Sequence, residues 1–173
     1  MRFSRNKILF GKDFKKLQKA NIIILGVGGV GKNKVAHLQS IYPKVNIIDQ
    51  KINSTWINDF NMDKYDLILD AIDDIDSKVQ LIQKYYKKLI STTGSAKRID
   101  PTKIEYIDIY KTYNDPFIKK IKHKLIKEGF TKKFKVIFSK EEVQCQDMGS
   151  FIGVTATFGL TMCAIAIKKI RLL

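Results

Sequence analysis

The sequence IIILGVGGVG at residues 22–31 places a short apolar run directly before a cluster of four glycines. Such a run is typical of a strand that is buried on both faces of a parallel sheet. The glycines match the pattern G-x-G-x-x-G, where a side chain would obstruct the tight turn and the approach of the backbone to phosphate. Gly26, Gly28, Gly29 and Gly31 are therefore predicted to bind a nucleotide. The alternative is a glycine turn that serves only close helix–sheet packing.

Two other nucleotide patterns overlap the same residues. Gly26 and Gly31-Lys32 have P-loop spacing, but Asn33 stands where a P-loop needs a Ser or Thr hydroxyl for magnesium. Asp49 lies about 20 residues past the loop, at the spacing of the acid that binds ribose in NAD-dependent enzymes. The Rossmann interpretation ranks above the P-loop, and the pattern by itself also permits NAD.

Strand and helix patterns alternate along the rest of the chain. Predicted strands cover residues 22–25, 45–48, 66–72, 89–93, 104–110 and 134–138, and predicted helices cover residues 14–20, 32–41, 77–89, 116–128 and 151–167. Asp13 is the predicted N-cap of the first of these helices. The alternation indicates one open α/β sheet, doubly wound and Rossmann-like, in a single domain that spans residues 1–173.

Composition narrows the possible partners and locations. The chain has 173 residues, with 32 Lys and Arg against 17 Asp and Glu, so its formal net charge is +15. This surplus favours nucleic acid as a partner and, second, an anionic membrane, unless the lysines only solvate helix faces. The two cysteines form no Cys-x-x-Cys pair for zinc, and the first residues have no signal-peptide pattern, so we expect a cytoplasmic protein. The uncharged residues 151–167 predict a buried helix rather than a membrane anchor.

Several short motifs resemble one enzyme superfamily. RFSR at residues 2–5, LGVGGVG at 25–31 and DAIDD at 70–74 resemble the MoeB/ThiF/ubiquitin-activating superfamily, whose members adenylate carboxylates on a Rossmann-like sheet. Four further motifs resemble its TcdA family, the tRNA threonylcarbamoyladenosine dehydratases: TGSA at 93–96, IDPTKI at 99–104, NDPF at 114–117 and VTATFG at 154–159. The motifs follow the family's order over nearly the whole chain, ending in a TcdA/ThiF-type C-terminal extension.

The resemblance implies a specific chemistry. ATP binds at the glycine loop, a substrate carboxylate attacks its α-phosphorus, and a neighbouring nucleophile captures the acyl-adenylate; in the dehydratases this closes a ring on a tRNA adenosine. Asp73 matches the acid linked to Mg²⁺, although Asp73, Asp74 or Asp76 also suits a helix N-cap. Arg5 matches an arginine that reaches the ATP of the partner subunit in family homodimers. The acyl acceptor is either tRNA or a carrier protein.

The sequence departs from the family between Gly31 and Asp70. The family's Asn-x-Asn-Arg-Gln stretch is missing, and the interval is too short for all of the family's elements. In one alignment, Asp49 is the ribose acid; in the preferred one, Gly31-Lys32-Asn33-Lys34 begins the family's Gly-x-x-Lys helix, and Lys34 reaches phosphate. One strand–helix block is then absent. Because a charge-assisted contact contributes about 1.5–3 kcal/mol, the hypothesis is an enzyme of impaired activity or a non-catalytic scaffold that binds tRNA or a carrier protein.

Three further features have candidate roles. Lysines crowd residues 111–140, where they form either a face for tRNA phosphates or a solvated helix surface. Cys145, beside Asp147, is a candidate acyl carrier, since some relatives hold the activated acyl group on a cysteine. His123 is predicted to lie at the surface and His37 on the helix after the glycine loop.

Overall fold

The computed structural model describes residues 3–26 and 31–173, without the side chains of residues 31–35. The helices are α1 (Ser4–Phe10), α2 (Phe14–Lys19), α3 (Gly31–Ile41), α4 (Ser54–Asp59), α5 (Ile75–Tyr85), α6 (Pro116–Lys127) and α7 (Ile152–Leu172). The strands are β1 (Ile22–Leu25), β2 (Leu67–Asp70), β3 (Leu89–Thr92), β4 (Ile104–Asp108) and β5 (Lys135–Ser139). Short 3₁₀ turns occupy Gly11–Asp13, Pro101–Lys103 and Ile109–Lys111.

The five strands form one mixed sheet in the order β1-β2-β3-β5-β4. The first three pairings are parallel, with Ile23 opposite Ile68 and Ile68 opposite Leu89, whereas β4 runs antiparallel to β5 at the edge. All residues of β2 and β3 are buried, as expected for apolar strands covered on both faces. The α/β class predicted from the sequence is confirmed.

Helices cover both faces of the sheet. On one face, Ile68 and Leu89 pack with the inner sides of α4, α5 and α6. On the other face, Leu67, Leu69 and Ile90 pack with α7, beside Leu17 of α2. Alternate residues of a strand therefore supply two separate apolar clusters, which is the arrangement of a doubly wound sheet.

The strand predicted at residues 45–48 is wrong. The backbone groups of Val45 are occupied elsewhere: its N–H donates to the Tyr42 carbonyl at 2.9 Å, and its carbonyl accepts from Gln39 Nε2 at 3.3 Å. Both contacts tie Val45 to the end of α3, and residues 45–48 are exposed. β1 consequently lies at the edge of the sheet, with Ile24 58% exposed.

Several helices differ from the predictions in their caps, in their bounds or in being unpredicted; α5, for example, covers Ile75–Tyr85 rather than residues 77–89. Asp13 makes no capping hydrogen bond; its carboxylate pairs instead with Arg171 Nε of α7 at 2.7 Å. The sequence patterns did not predict α1 or α4, although Asn53 caps α4 by accepting a hydrogen bond from the Trp56 N–H. The capping signal of Asn53 was therefore present, but the helix that it begins has only six residues.

Helix α7 is longer and less buried than predicted. Its inner face contacts the sheet through Val154, Phe158, Met162, Ala166 and Ile170, at four-residue spacing. Its outer face is exposed, including Leu160 at 70%. Among the described residues it is the one helix whose length and apolar composition would suffice to cross a membrane. The packing of its inner face supports a helix of the protein core.

Substitution of Gly26 tests the close contact between the first glycine of the loop and the end of β2. Gly26 has φ +86°, and an added Cβ would lie 2.6 Å from the carbonyl carbon of Ala71. We expect Gly26→Ala to lower the free energy of unfolding by about 2–4 kcal/mol, from backbone strain plus overpacking. Gly94→Ala is the control, because its Cβ would meet nothing within 4 Å. Equal urea midpoints for the two variants would contradict the contact.

Candidate functional site

The candidate site lies where the parallel strands end. β1 ends before Gly26, β2 ends at Asp70, and β3 ends before Thr93. In open α/β sheets, ligands bind outside these carboxyl ends, because the following loops and helix N-termini converge there. The predicted residues Gly26 and Asp73 therefore lie at the same edge of the sheet.

Gly26 packs directly on the loop that follows β2. Its missing side chain leaves room for the backbone of Ala71 and Ile72, whose nearest atoms would lie 2.6–2.7 Å from a Cβ. The Ala71 N–H donates to the Leu25 carbonyl at 3.0 Å, which extends the pairing of β1 and β2 by one bond. The start of the glycine loop is thus held against the residues that lead to Asp73.

A buried ion pair lies beneath this loop. Lys78 of α5 is 1% exposed, and its Nζ lies 2.6 Å from Asp70 Oδ2 at the end of β2. The ammonium also donates to Ser91 Oγ at 3.1 Å and to the Thr92 carbonyl at 2.9 Å. All three of its protons therefore have acceptors, which is the condition for a tolerable buried charge.

The Asp70 carboxylate connects this pair to the loop. Its Oδ2 also accepts from Ser91 Oγ at 2.6 Å, and its Oδ1 accepts from the Ile72 N–H at 3.0 Å. The same side chain therefore contacts α5, β3 and the loop that holds Asp73. The sequence identified residues 70–74 as a motif but gave no sign that Lys78 completes it.

The structure distinguishes the neighbouring acids. Asp74 is the N-cap of α5, because its Oδ2 accepts from the Ser77 N–H at 2.8 Å. Hydrogen bonds from Ser77 hold the pKa of Asp74 below its ordinary value, so the stability from this cap is lost as the pH falls through that lowered pKa. Asp73 is exposed and makes no hydrogen bond or ion pair to other described residues. Its carboxylate is therefore available to a ligand.

The loop after β3 contains a second buried cation that the sequence did not identify. Arg98 is 3% exposed; its Nη1 donates to the Gly94 carbonyl at 2.7 Å, and its Nη2 lies 3.3 Å from Asp115 Oδ2 at the start of α6. Glu141 closes the loop from β5, with its carboxylate accepting from the N–H groups of Ile99 and Asp100. These contacts fix residues 94–100 beside the site.

The other predicted site residues either make no contact with Asp73 or fall outside the part of the chain that the structure describes. Gly28 and Gly29 lie outside the described residues. Gly31 is the first residue of α3, and Lys34 is on the same helix, where the side chains are not described. Arg5 is exposed on α1, and the chain's own fold does not bring it to Asp73 through any contact.

The secondary candidates are all at the surface. Asp49 is exposed in the unpaired segment after α3, so it does not lie at the end of a strand beside β1. Cys145 is exposed, and its thiol donates to the Asp147 carbonyl at 3.3 Å. His123 on α6 is exposed, as predicted; His37 lies on α3, as predicted, and is exposed as well. Among the described residues, no three His, Cys, Asp or Glu side chains cluster as a metal site.

Comparison with known proteins identifies curated relatives with one common name. No protein-family profile matches the chain. The tRNA threonylcarbamoyladenosine dehydratase of Bacillus subtilis is 30% identical over 190 aligned positions, covering 80% of this chain and 74% of the relative. The protein of the same name from Haemophilus influenzae is 34% identical over 127 positions, covering 67% of this chain and 48% of the relative.

Solved structures show the same fold. Escherichia coli TcdA in complex with ATP superposes with a TM-score of 0.88 at 23% identity, covering 99% of this chain and 94% of that one. The AMP complex of the same protein gives a TM-score of 0.86 at 24% identity. At this identity the likeness establishes the fold.

The alignments also confirm that this chain is shorter within the matched region. The 190 aligned positions of the Bacillus relative exceed the 173 residues of this chain, only 80% of which are matched. The relative therefore has residues within the region that this chain lacks. The predicted internal shortening agrees with this and with the position of β1 at the sheet edge.

The buried ion pair gives a stability prediction. We expect Lys78→Met to lower the free energy of unfolding by about 3–5 kcal/mol, because Asp70 would remain buried without its partner. Lys140→Met is the control: its Nζ lies 2.7 Å from Glu105 Oε1, but both side chains are partly exposed. Its expected cost is about 0–1 kcal/mol.

Urea unfolding measures both changes. The double variant Asp70→Asn/Lys78→Met should recover part of the loss, since a neutral amide is less costly to bury than a lone carboxylate. Similar losses for Lys78→Met and Lys140→Met would show that the pair does not stabilise this edge of the sheet.

Proposed function

This chain belongs to the tRNA threonylcarbamoyladenosine dehydratase family, and we propose that it is an ATP-dependent adenylating enzyme that activates the carboxylate of threonylcarbamoyladenosine in tRNA for ring closure. The observation that carries the proposal is its 30% identity to the Bacillus dehydratase across 74% of that protein. The chain spans about half the length of the Haemophilus relative. We therefore assign the proposed activity only to residues 1–173, as one nucleotide-binding domain.

The geometry at β1 fits a nucleotide. The backbone at Gly26 has a conformation that favours glycine, and the chain then enters α3, whose first residue is Gly31. Free N–H groups and the positive end of a helix dipole attract phosphate at such a position. We assign Gly26, Gly28, Gly29 and Gly31 to ATP, with Lys34 on α3 as the lysine that reaches phosphate.

Asp73 fits the role of a magnesium ligand. Mg²⁺ is usually held in nucleotide sites by one or two carboxylates together with substrate phosphates and water. The exposed carboxylate of Asp73 meets this requirement, since Asp74 and Asp70 already have hydrogen-bond partners. When bound, Mg²⁺ neutralises phosphate charge, and Asp73 holds it beside the glycine loop.

The chemistry then follows from positioning and charge neutralisation. The substrate carboxylate attacks the α-phosphorus of ATP, a P–O bond forms, and pyrophosphate leaves. A neighbouring nucleophile of the same substrate displaces AMP and closes the ring, with overall loss of water. Arg5 from the second protomer of a homodimer adds positive charge at the phosphates. Cytoplasmic tRNA is the proposed substrate, with a carrier protein as the alternative acyl acceptor.

The shortening is expected to weaken ATP binding. The ribose acid and one phosphate arginine of the family have no counterpart in the preferred alignment, and a charged hydrogen bond contributes about 1.5–3 kcal/mol. Asp49 does not replace the acid, because its segment is not paired with β1. A non-catalytic scaffold is not favoured, since the glycine loop and the free Asp73 carboxylate are retained.

Calorimetric titration tests the nucleotide site. We expect ATP with Mg²⁺ to bind the chain with a Kd in the micromolar to millimolar range, and Asp73→Asn to weaken binding at least tenfold, since one charged contact is lost. Asp74→Asn is the matched control, because asparagine also caps helices and the Asp74 carboxylate is engaged by the Ser77 N–H. Equal losses in both variants would refute the role of Asp73.

A cyclisation assay tests the reaction itself. The purified chain is incubated with tRNA that contains threonylcarbamoyladenosine, together with ATP and Mg²⁺, and the nucleosides are examined by mass spectrometry. The expected product has lost one water molecule, and Asp73→Asn should form it at least tenfold more slowly. ATP binding without pyrophosphate exchange or product would contradict the proposed activity.

A further inference from the structure

The lysines of residues 119–140 fall into two groups. Members of the first group have partners within the protein. Lys122 donates to the Thr112 carbonyl at 2.7 Å, Lys124 pairs with Asp76, Lys135 lies 5.6 Å from the ring centroid of Tyr106, and Lys140 lies 2.7 Å from Glu105 Oε1. The neighbouring carboxylates raise the pKa of Lys124 and Lys140. This group serves the fold.

The second group is exposed and has no ion pair to any residue in the described part of the chain. It consists of Lys119, Lys120, Lys127, Lys132 and Lys133, which we call the α6 lysine face. Lys120 and Lys127 are two turns apart and therefore separated by about 10 Å along the helix axis. The side chain of His123 is exposed between them.

Core packing fixes the orientation of the part of this face that lies on α6, namely Lys119, Lys120 and Lys127. The opposite side of α6 is formed by Ile118, Ile121 and Leu125, each at most 1% exposed. The apolar side of α6 is buried in the protein core, so this side is not available to insert into a lipid bilayer. Its outer surface is left with uncompensated positive charge, which suits the backbone of a nucleic acid.

One end of the α6 lysine face, at Lys119 and Lys120, is near the candidate site. Asp115, at the start of α6, pairs with Arg98 in the loop after β3. Lys124 contacts Asp76 in the first turn of α5, three residues after Asp73. The Asp115 contact places the start of α6 at the carboxyl edge of the sheet, whereas Lys132 and Lys133 directly precede β5 and lie at the opposite end of the parallel strands. A polyanion that lies along α6 from Lys127 to Lys119 therefore runs toward the carboxyl edge, where Gly26 and Asp73 lie.

A second basic surface lies at the amino end of β1, opposite the carboxyl edge of the sheet. Helix α2 immediately precedes β1, and Lys16 donates to the Arg171 carbonyl near the end of α7. Lys12, Lys15 and Lys19 are exposed there. This surface has similar charge but faces away from the candidate site, so charge and position can be tested separately.

We propose that the α6 lysine face binds the phosphate backbone of the tRNA whose modified adenosine enters the candidate site. The proposal rests on the proposed function for the identity of the RNA. Lysines bind phosphates as point charges, so the contact gives affinity and orientation without base specificity. The modified nucleotide itself supplies the specificity at the carboxyl edge.

Salt-dependent binding of a fluorescently labelled tRNA transcript tests this face. The variant Lys119→Gln/Lys120→Gln/Lys127→Gln is compared with Lys12→Gln/Lys15→Gln/Lys19→Gln, which removes the same charge from the far edge. We expect the first to weaken binding about 10–100-fold at low salt and to reduce the slope of log K against log salt by about 2. The far-edge variant should weaken binding less than about threefold, through long-range charge alone.

Titration of the same variants with ATP separates the proposed tRNA-binding face from the proposed adenylating activity. ATP titration should give wild-type affinity in both variants. Equal loss of tRNA binding in the two variants, or no tRNA binding by the parent chain, would overturn the α6 lysine face. Loss of binding to anionic lipid vesicles with unchanged tRNA binding would also overturn it. If the parent chain does not bind ATP but the tRNA contrast holds, the face stands and the adenylating function fails.

Discussion

The buried ammonium of Lys78 is the contact on which the geometry of the candidate site depends. It joins Asp70 at the end of β2, Ser91 in β3 and the Thr92 carbonyl to helix α5. The loop that holds Asp73 has both ends attached to this network, through the Ile72 N–H at one end and the capped turn of α5 at the other. A flexible loop would leave the Asp73 carboxylate without a defined position, and pre-organisation of charge is how such sites stabilise phosphoryl chemistry.

The sequence predicted the elements whose signals are local. The apolar runs of β2 and β3 and the glycine pattern after β1 identified the sheet, because buried parallel strands lack the alternation of exposed ones. The helix predicted at residues 116–128 is α6, and the structure places its inner face in the core. Asp73 was singled out only by its resemblance to family members, and its capping alternative was resolved once Asp74 proved to be the cap.

The remaining features depend on contacts that are distant in sequence. Nothing local distinguishes Lys78 from the many solvated lysines, and its burial follows from an acceptor eight residues away and two others on β3. Arg98 and Glu141 likewise fix a loop from opposite sides, across 43 residues of sequence. Residues 45–48 show the opposite case: a strand-like composition without pairing, since β-propensity stabilises a strand only where neighbouring strands and packing complete it. Tertiary context therefore decided each of these outcomes.

The internal shortening of the chain leaves the two halves of the candidate site unequally buried. The half built from β2, β3 and α5 has buried strands and satisfied charges, whereas β1 leaves Ile24 58% exposed and its outer edge unpaired. β1 thus has a neighbouring strand on one side only, and its pairing with β2 is what positions the start of the glycine loop. In the proposed site, Asp73 of the buried half would hold Mg²⁺ and the turn at Gly26 after β1 would approach the phosphates, whereas the ribose acid of the family has no counterpart in the preferred alignment. Nucleotide affinity in this chain should therefore depend on phosphate and metal more than on the sugar.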